Sequence, residues 1–218
     1  MRVIPGSVPK IGTSVEVSIL SRVSQVNRRV GDYLVRNSRN RILYTRKLRY
    51  FVQFFDFVPE IIDSSGARLA PTELKSLDFS SDREKQVLLS VLNSSLFFWF
   101  FVVFSDCRNV NRREIVSFPL DPTAVDGPMT RRLLSLSKEL MLDFRQKSAL
   151  LEMNYENRGK LLIQTFQPRL SKSLLDEIDR AMSAYYHFND EELDFIINHD
   201  IKYRMGQSAD EDEDEDEE

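Results

Sequence analysis

A chain of 218 residues with 42% hydrophobic and 29% charged residues is long enough to bury a substantial core and has the composition of an ordinary globular protein. Its single cysteine, Cys107, excludes a disulfide framework and indicates a reducing cytoplasm. With only two histidines, His187 and His199, the chain is poor in the usual zinc ligands. The first residues contain no continuous apolar segment of the kind that marks a signal peptide.

The net charge of −4 hides an uneven distribution. Residues 210–218 are nine consecutive acids, and without them 25 acids face 30 Lys and Arg, a net charge of +5. The cationic excess lies at the front, where residues 1–60 hold eleven Lys and Arg and four acids. This pattern predicts contact with a polyanion, although a solvated charged surface would show it too. The acidic run predicts a disordered tail over residues 207–218.

Hydrophobic periodicity predicts the elements of the front half in chain order. Alternation predicts a strand over residues 15–20, and three- and four-residue spacing predicts an amphipathic helix over 21–35. After a basic turn at 37–41, β-branched and aromatic residues predict strands at 41–45 and 48–58. A Ser-Ser-Gly turn then predicts a hairpin over 61–79 with a strand at 74–79.

A helix is expected to begin after Ser81, since this N-cap is followed by Glu84 at the capping-box position. It should continue into the aromatic stretch 96–104. Residues 87–104 approach the length of a bilayer span, but polar residues interrupt them and charges flank them, which favours a buried core helix and no membrane partner. The polar side chains of Asn93, Ser94 and Ser95 must find partners there, on a neighbouring strand or on a ligand.

The remaining pattern predicts a polar loop and short strand over 107–121, a long helix over 130–156 and a strand over 160–166. Two final helices, 172–186 and 190–204, should start at the N-caps Ser171 and Asn189, and Gly206 should end the second. The fold class is therefore α+β. We expect a β-rich domain over 1–125, a helical region over 126–206 and the tail.

The first candidate binding cluster places cations and aromatic residues across the basic turn and the two strands that follow it. Arginine and lysine neutralise phosphates, and arginine also makes paired hydrogen bonds to guanine. An amphipathic strand with a solvated basic face is the alternative. The predicted DNA-binding residues here are Arg36, Arg39, Arg41, Tyr44, Arg46, Lys47 and Arg49.

The second candidate cluster follows the aromatic stretch, where Asn109, Asn111, Arg112 and Arg113 lie within five residues of one another. Loops carry binding functions more often than core elements do, and asparagine and arginine are suited to base edges. This segment is the predicted base-reading loop. The competing interpretation is that Arg113 pairs with Glu114 and only holds the loop in place.

Catalytic signals are few. Glu73 and Lys75 form an E-x-K triplet with Asp56 upstream, a pattern found in metal-dependent nucleases. The triplet is common by chance, and a solvated hairpin is the favoured explanation. The sequence contains no P-loop, nucleophile elbow, dinucleotide-binding turn or zinc-protease motif.

Five segments in order carry a resemblance to a known family. They are YTRKLRYFVQFFDFVP (44–59), LNSSLF (92–97), D-x-R-x-x-N-x-R-E-I-x-x-F-P (106–119), SK-x-x-x-DEID (171–179) and EELDFIIN-x-DIKYRMG (191–206). Over residues 15–206 the chain resembles the C-terminal part of type IIG-like restriction–methylation enzymes and related large adenine-specific DNA methyltransferases, which belong to bacterial defence systems.

The resemblance implies a target-recognition domain that binds double-stranded DNA, with helices that pack against a methylase. The activity it implies is methyl transfer from S-adenosylmethionine to adenine N6, sometimes linked to cleavage. The family's catalytic Asn-Pro-Pro-Tyr loop and Gly-containing cofactor loop are absent here. We therefore expect no catalysis, cofactor or metal in this chain alone, and a catalytic methyltransferase half in the same or a separate chain. A stand-alone nuclease using Asp56, Glu73 and Lys75, or a non-enzymatic protein whose tail binds basic partners, are the alternatives.

Overall fold

The fold is seen in a computed structural model that describes residues 3–47, 51–156 and 158–199. In these ranges the chain forms seven α-helices and six strands, which confirms the predicted α+β class. The helices are α1 (Ser14–Val23), α2 (Asp82–Leu92), α3 (Ser95–Phe104), α4 (Arg112–Ser117), α5 (Gly127–Gln146), α6 (Lys172–Tyr186) and α7 (Asp190–Asn198). The strands are β1 (Asn40–Thr45), β2 (Phe54–Phe55), β3 (Ile61–Asp63), β4 (Leu74–Phe79), β5 (Ala149–Tyr155) and β6 (Gly159–Thr165).

The strands form two antiparallel sheets of three strands, in the orders β2-β1-β4 and β3-β6-β5. In the first sheet, Ile42 of β1 lies opposite Leu77 of β4, and both are fully buried. Alternation along β1 places Arg41 on the other, exposed face. The first sheet thus has one face in the core and one face toward solvent.

The aromatic stretch is a bent pair of helices instead of the predicted single helix. The bend between α2 and α3 is 70°. Ser81 caps α2 by accepting a hydrogen bond from the N–H of Glu84, as predicted, and Ser94 caps α3 by accepting from the N–H of Phe97. Every residue of α3 except Val102 is buried, which confirms the predicted core helix. In the described ranges no single helix is long and apolar enough to cross a membrane, although this bent pair meets the length and composition criteria.

One hydrophobic core runs through the described chain. Its buried side chains come from residues as far apart in sequence as Val3 and Ile196. Helix α5 packs on α2, and α6 packs on both α2 and α3. The boundary between residues 125 and 126 stays a prediction, and buried side chains on both sides of it, such as Leu120 and Leu133, belong to this core.

Two predicted strands are helices. Residues 15–20 lie in α1, which begins with a full capping box between Thr13 and Glu16 and buries Ile19, Leu20 and Val23 on one face. The predicted helix over 21–35 accordingly ends at Val23. The β-branched residues of VEVSIL favoured a strand locally, but the cap and the packed face outweigh that preference. Residues 112–117, predicted as loop and strand, form α4.

The predicted helix over 130–156 is too long, because α5 ends at Gln146 and β5 follows. Leu150 and Leu151 continue the helical spacing, yet they are 45% and 46% exposed on β5. The strand predicted at 160–166 is confirmed as β6.

The predicted hairpin over 61–79 forms only close to its turn, where Ile62 is bridged to Arg68 and the N–H of Leu69 donates to the carbonyl of Ile61 at 2.8 Å. The turn forms, with Gly66 at φ +83°, but β3 pairs with β6 and β4 pairs with β1. The strand predicted at 74–79 is confirmed as β4. Of the strand predicted over 48–58, only Phe54–Phe55 is a strand, and residues 48–50 lie outside the described residues.

The two final helices begin where their N-caps predicted. Helix α6 spans the predicted residues 172–186. Asn189 caps α7 by accepting from the N–H of Glu192. The predicted end of this last helix, Gly206 and the acidic tail all lie outside the described residues.

Candidate nucleic-acid interface

The structure brings the two predicted binding clusters together. Lys47, just beyond the end of β1, forms an antiparallel β-bridge with Asn109. The N–H of Val110 donates to the carbonyl of Arg46 at 2.8 Å, and the Arg46 guanidinium donates to the Asn111 side chain at 3.4 Å. Segments about sixty residues apart in sequence therefore form one surface, which we call the basic face: Arg46, Lys47, Arg108, Asn109, Asn111 and Arg112.

Several contacts hold the loop before α4 in place. The ammonium group of Lys10 donates to the carbonyl of Ser105 at 2.6 Å, and Asp106 accepts from the N–H of Arg108 at 3.1 Å. Cys107 has a positive φ of 61°, which reverses the chain locally. Val110 is buried and anchors the loop to the core. The side chains of Arg108 and Arg112 remain exposed on this fixed backbone.

Arg113 has a different role from its neighbours. Its guanidinium donates to one Glu114 oxygen through Nε at 2.9 Å and Nη2 at 2.7 Å, and to the carbonyl of Phe104 at 3.3 Å. Glu114 is fully buried, so loss of Arg113 would leave a buried carboxylate without its cation. The structure therefore favours the competing interpretation, in which Arg113 joins α4 to α3, and we remove it from the base-reading set.

Tyr44 is not a surface residue. It is 3% exposed, and its ring lies 5.5 Å from that of Phe54 in the core. Burial raises the pKa of Tyr44, and the nearby guanidinium groups of Arg112 and Arg46 oppose this increase. The predicted DNA contact by Tyr44 is corrected accordingly, because its face of β1 points inward.

The other predicted cations lie at the opposite end of β1. Arg36 and Arg39 are exposed, whereas Arg41 is paired with Asp78 at 3.4 Å and also donates to the carbonyl of Ser38 at 2.7 Å. A strand of six residues spans about 20 Å, so these arginines lie about one strand length from the basic face. Arg49 lies outside the described residues.

Most cations of this region have no acidic partner. Among the described residues, ion pairs involve neither Arg36, Arg39, Arg46, Lys47, Arg108 nor Arg112. The acid in this loop, exposed Asp106, accepts from the backbone N–H of Arg108. Unneutralised cations on a rigid surface attract polyanions without having to break internal pairs first.

The three residues of the predicted nuclease site, Asp56, Glu73 and Lys75, have separate environments. Asp56 lies 3.6 Å from Arg145 of α5. Glu73 lines a cleft of about 480 Å³ between the two sheets, and Lys75 lies opposite Tyr44 in the first sheet. Within the described part of the chain, no three His, Cys, Asp or Glu side chains are grouped so that they could hold a metal ion.

The segments that carry the family resemblance contact one another through buried polar side chains. Asn93 of LNSSLF bonds to both the N–H and the carbonyl of Phe54, each at 3.0 Å. Asp179 of SK-x-x-x-DEID accepts from the N–H groups of Ser95 and Leu96 at 3.1 and 3.0 Å. Of the alternatives left open for the polar residues at 93–95, bonding to a neighbouring strand is confirmed for Asn93.

Sequence reasoning missed the role of Asp179. It is 1% exposed on α6, between buried Ile178 and Met182. A carboxylate on the apolar stripe of an amphipathic helix is a signal that could have identified it, because such a group needs a buried partner. Its partner, the N-terminus of α3, is a site that favours negative charge.

Comparisons with family models, with curated proteins and with solved structures find no match. The family resemblance therefore depends on the sequence segments alone.

Proposed function

We propose that this chain is the DNA sequence-recognition portion of an adenine-N6-specific DNA methyltransferase or restriction–methylation enzyme. The observation that supports the proposal best is the basic face, where two distant segments join through the Lys47–Asn109 bridge. The face has the two chemical components that DNA recognition requires. Free cations can neutralise phosphates and fix the register, and amide and guanidinium groups can read base edges.

The proposal assigns different tasks to different residues. Arg36, Arg39, Arg46 and Lys47 contact phosphates. Asn109, Asn111 and Arg112 read bases, since they lie on the loop with a fixed backbone and at the first residue of α4. S-adenosylmethionine and the Asn-Pro-Pro-Tyr loop belong to the catalytic half in the cytoplasm, and this chain alone transfers no methyl group.

A salt titration with the variant R46A/K47A/R112A tests the DNA-binding part. Duplex DNA binding is measured by fluorescence anisotropy, with the variant R131A/K138A/K160A, which removes three cations elsewhere, as a matched control. Loss of the two phosphate contacts of Arg46 and Lys47 should reduce the slope of log K against log salt by about 0.9 each, and loss of the base contact of Arg112 should lower the affinity further. Unchanged affinity and slope in the first variant would show that the basic face is only solvated.

Reconstitution tests the recognition part. The catalytic half is identified by an Asn-Pro-Pro-Tyr motif in a neighbouring reading frame and is combined with this chain. Asn111→Ala and Arg112→Ala should each relax or change the methylated sequence, mapped across a genome, while the melting temperature stays constant. Methyl transfer by this chain alone, or a parental methylated sequence in both variants, would contradict the assignment.

A further inference from the structure

We infer that the acidic run at residues 210–218 binds the basic face of its own chain and competes there with DNA. This inference depends on the proposed function for its consequence, but the contact itself does not require DNA. Nine consecutive carboxylates resemble the phosphates of a nucleic acid in charge and spacing along a chain. They are also the largest concentration of negative charge in the sequence.

Charge complementarity identifies the occupant. Arg46, Lys47, Arg108 and Arg112 form no ion pair among the described residues. Carboxylates accept hydrogen bonds from guanidinium groups in paired geometry, as phosphates do. A tethered acidic segment and duplex DNA would thus use the same donors, and only one of them can occupy the face at a time.

The acidic run can reach this surface. The described chain ends at His199, whose ring lies 6.4 Å from that of Phe98, and Phe98 lies 5.0 Å from Phe51. Phe51 is four residues from Lys47, at most about 14 Å along the chain. From His199 to Asp210 there are eleven steps, which extend to roughly 36–40 Å. The path from His199 to Lys47 is shorter than this reach.

Tethering makes the competition effective. A short linker holds its ligand at an effective concentration on the order of millimolar. Each carboxylate contact is weak, but several act together at low salt and are screened as the Debye length falls to about 3 Å at 1 M. DNA with the family's cognate sequence adds base contacts that the tail lacks, so the tail would suppress non-specific binding more than specific binding.

The test compares the full chain with a variant of the same length in which the nine acids are replaced by Asn and Gln. The neutral variant should bind random duplex DNA about tenfold more tightly at low salt, and the two affinities should converge as salt rises. A synthetic peptide of residues 207–218 should restore inhibition in trans, and a peptide with the neutral sequence should not. Equal DNA affinities at all salt concentrations would overturn the competition.

A second measurement separates this inference from the proposed function. Zero-length carbodiimide coupling of the full chain, without DNA, should join a tail carboxylate to Lys47, and mass spectrometry should find this link at low salt but not at 1 M. If the link forms and DNA does not bind, the intramolecular contact stands and the DNA-recognition function fails. If DNA binds through the basic face and neither the link nor the tenfold difference is observed, the tail does not occupy that face.

Discussion

Two groups of polar residues lie at the two ends of α3, and they differ in burial and in bonding partners. At the amino end, Asn93, Ser94 and Ser95 are fully buried, and Asn93 and Ser94 bond to backbone groups. At the carboxyl end, Arg108 and Arg112 are exposed and have no acidic partner among the described residues. The comparison teaches that polar residues beside an apolar helix stabilise the fold through hydrogen bonds where they are buried. They remain exposed to a ligand where the backbone is fixed and no acidic side chain pairs with them.

The largest expected effect is on the buried side of this comparison. Asp179→Ala removes the carboxylate that accepts hydrogen bonds from the N–H groups of Ser95 and Leu96 at the start of α3. Both N–H groups would then be buried without this partner. The free energy of unfolding should fall by about 3–4 kcal/mol, measured by urea denaturation. Glu177→Gln on the same helix is the control, because Glu177 forms exposed pairs with Arg132 and Arg180. An equal loss in both variants would contradict the buried role.

The second prediction concerns Asn93. Asn93→Ala should lower the free energy of unfolding by about 2–3 kcal/mol, because Phe54 loses both of its bonds to this side chain. Hydrogen exchange at the Phe54 amide should accelerate more than exchange in β6. Exposed Asn154, replaced by Ala, should change stability by less than about 0.5 kcal/mol. An unchanged exchange rate of the Phe54 amide in Asn93→Ala would show that the hydrogen bonds of Asn93 do not stabilise β2.

A third, smaller effect depends on pH. Burial raises the pKa of Glu192, but hydrogen bonds from Ser18, from the N–H of Asn189 and from Arg22 outweigh it, so the pKa lies below its ordinary value of 4.5. The charged form is therefore stabilised by folding. This contribution is complete above pH 4.5 and is lost as the pH falls through the folded pKa.

Glu192→Gln should consequently cost about 1–2 kcal/mol at pH 7 and less at pH 3. Urea denaturation of both proteins at the two pH values measures this. A difference that stays constant between pH 7 and pH 3 would show that the charge of Glu192 makes no contribution.

The smallest effect on stability is expected on the exposed side. The variant R46A/K47A/R112A should keep its free energy of unfolding within about 0.5 kcal/mol for each position. These side chains are exposed and form no ion pair among the described residues, and the hydrogen bonds of Arg46 to Asn111 and of Arg112 to the carbonyl of Ser76 are long, at 3.4 and 3.5 Å. Thermal denaturation at moderate salt is the measurement. Arg113→Ala, one residue further along, should in contrast destabilise clearly, because it leaves Glu114 buried without its cation. Similar melting temperatures for R46A/K47A/R112A and Arg113→Ala would contradict the distinction between exposed and buried polar residues.

The sequence by itself determined the features that depend on neighbouring residues. The caps at Ser81 and Asn189 marked real helix starts, because a side-chain acceptor three residues before a free N–H acts locally. The α+β class and the burial of the aromatic stretch followed from hydrophobic pattern alone.

Tertiary structure decided which residues face outward and which distant segments meet. Tyr44 and Arg46 are two residues apart, yet only contacts with Phe54 and Asn111 show that one is core and the other surface. Residues 15–20 satisfied a strand pattern, and the packing of Ile19, Leu20 and Val23 in the core favoured the helix. The Lys47–Asn109 bridge on which the proposed site depends joins positions whose pairing no local signal encodes, because its geometry arises only when the whole core has packed.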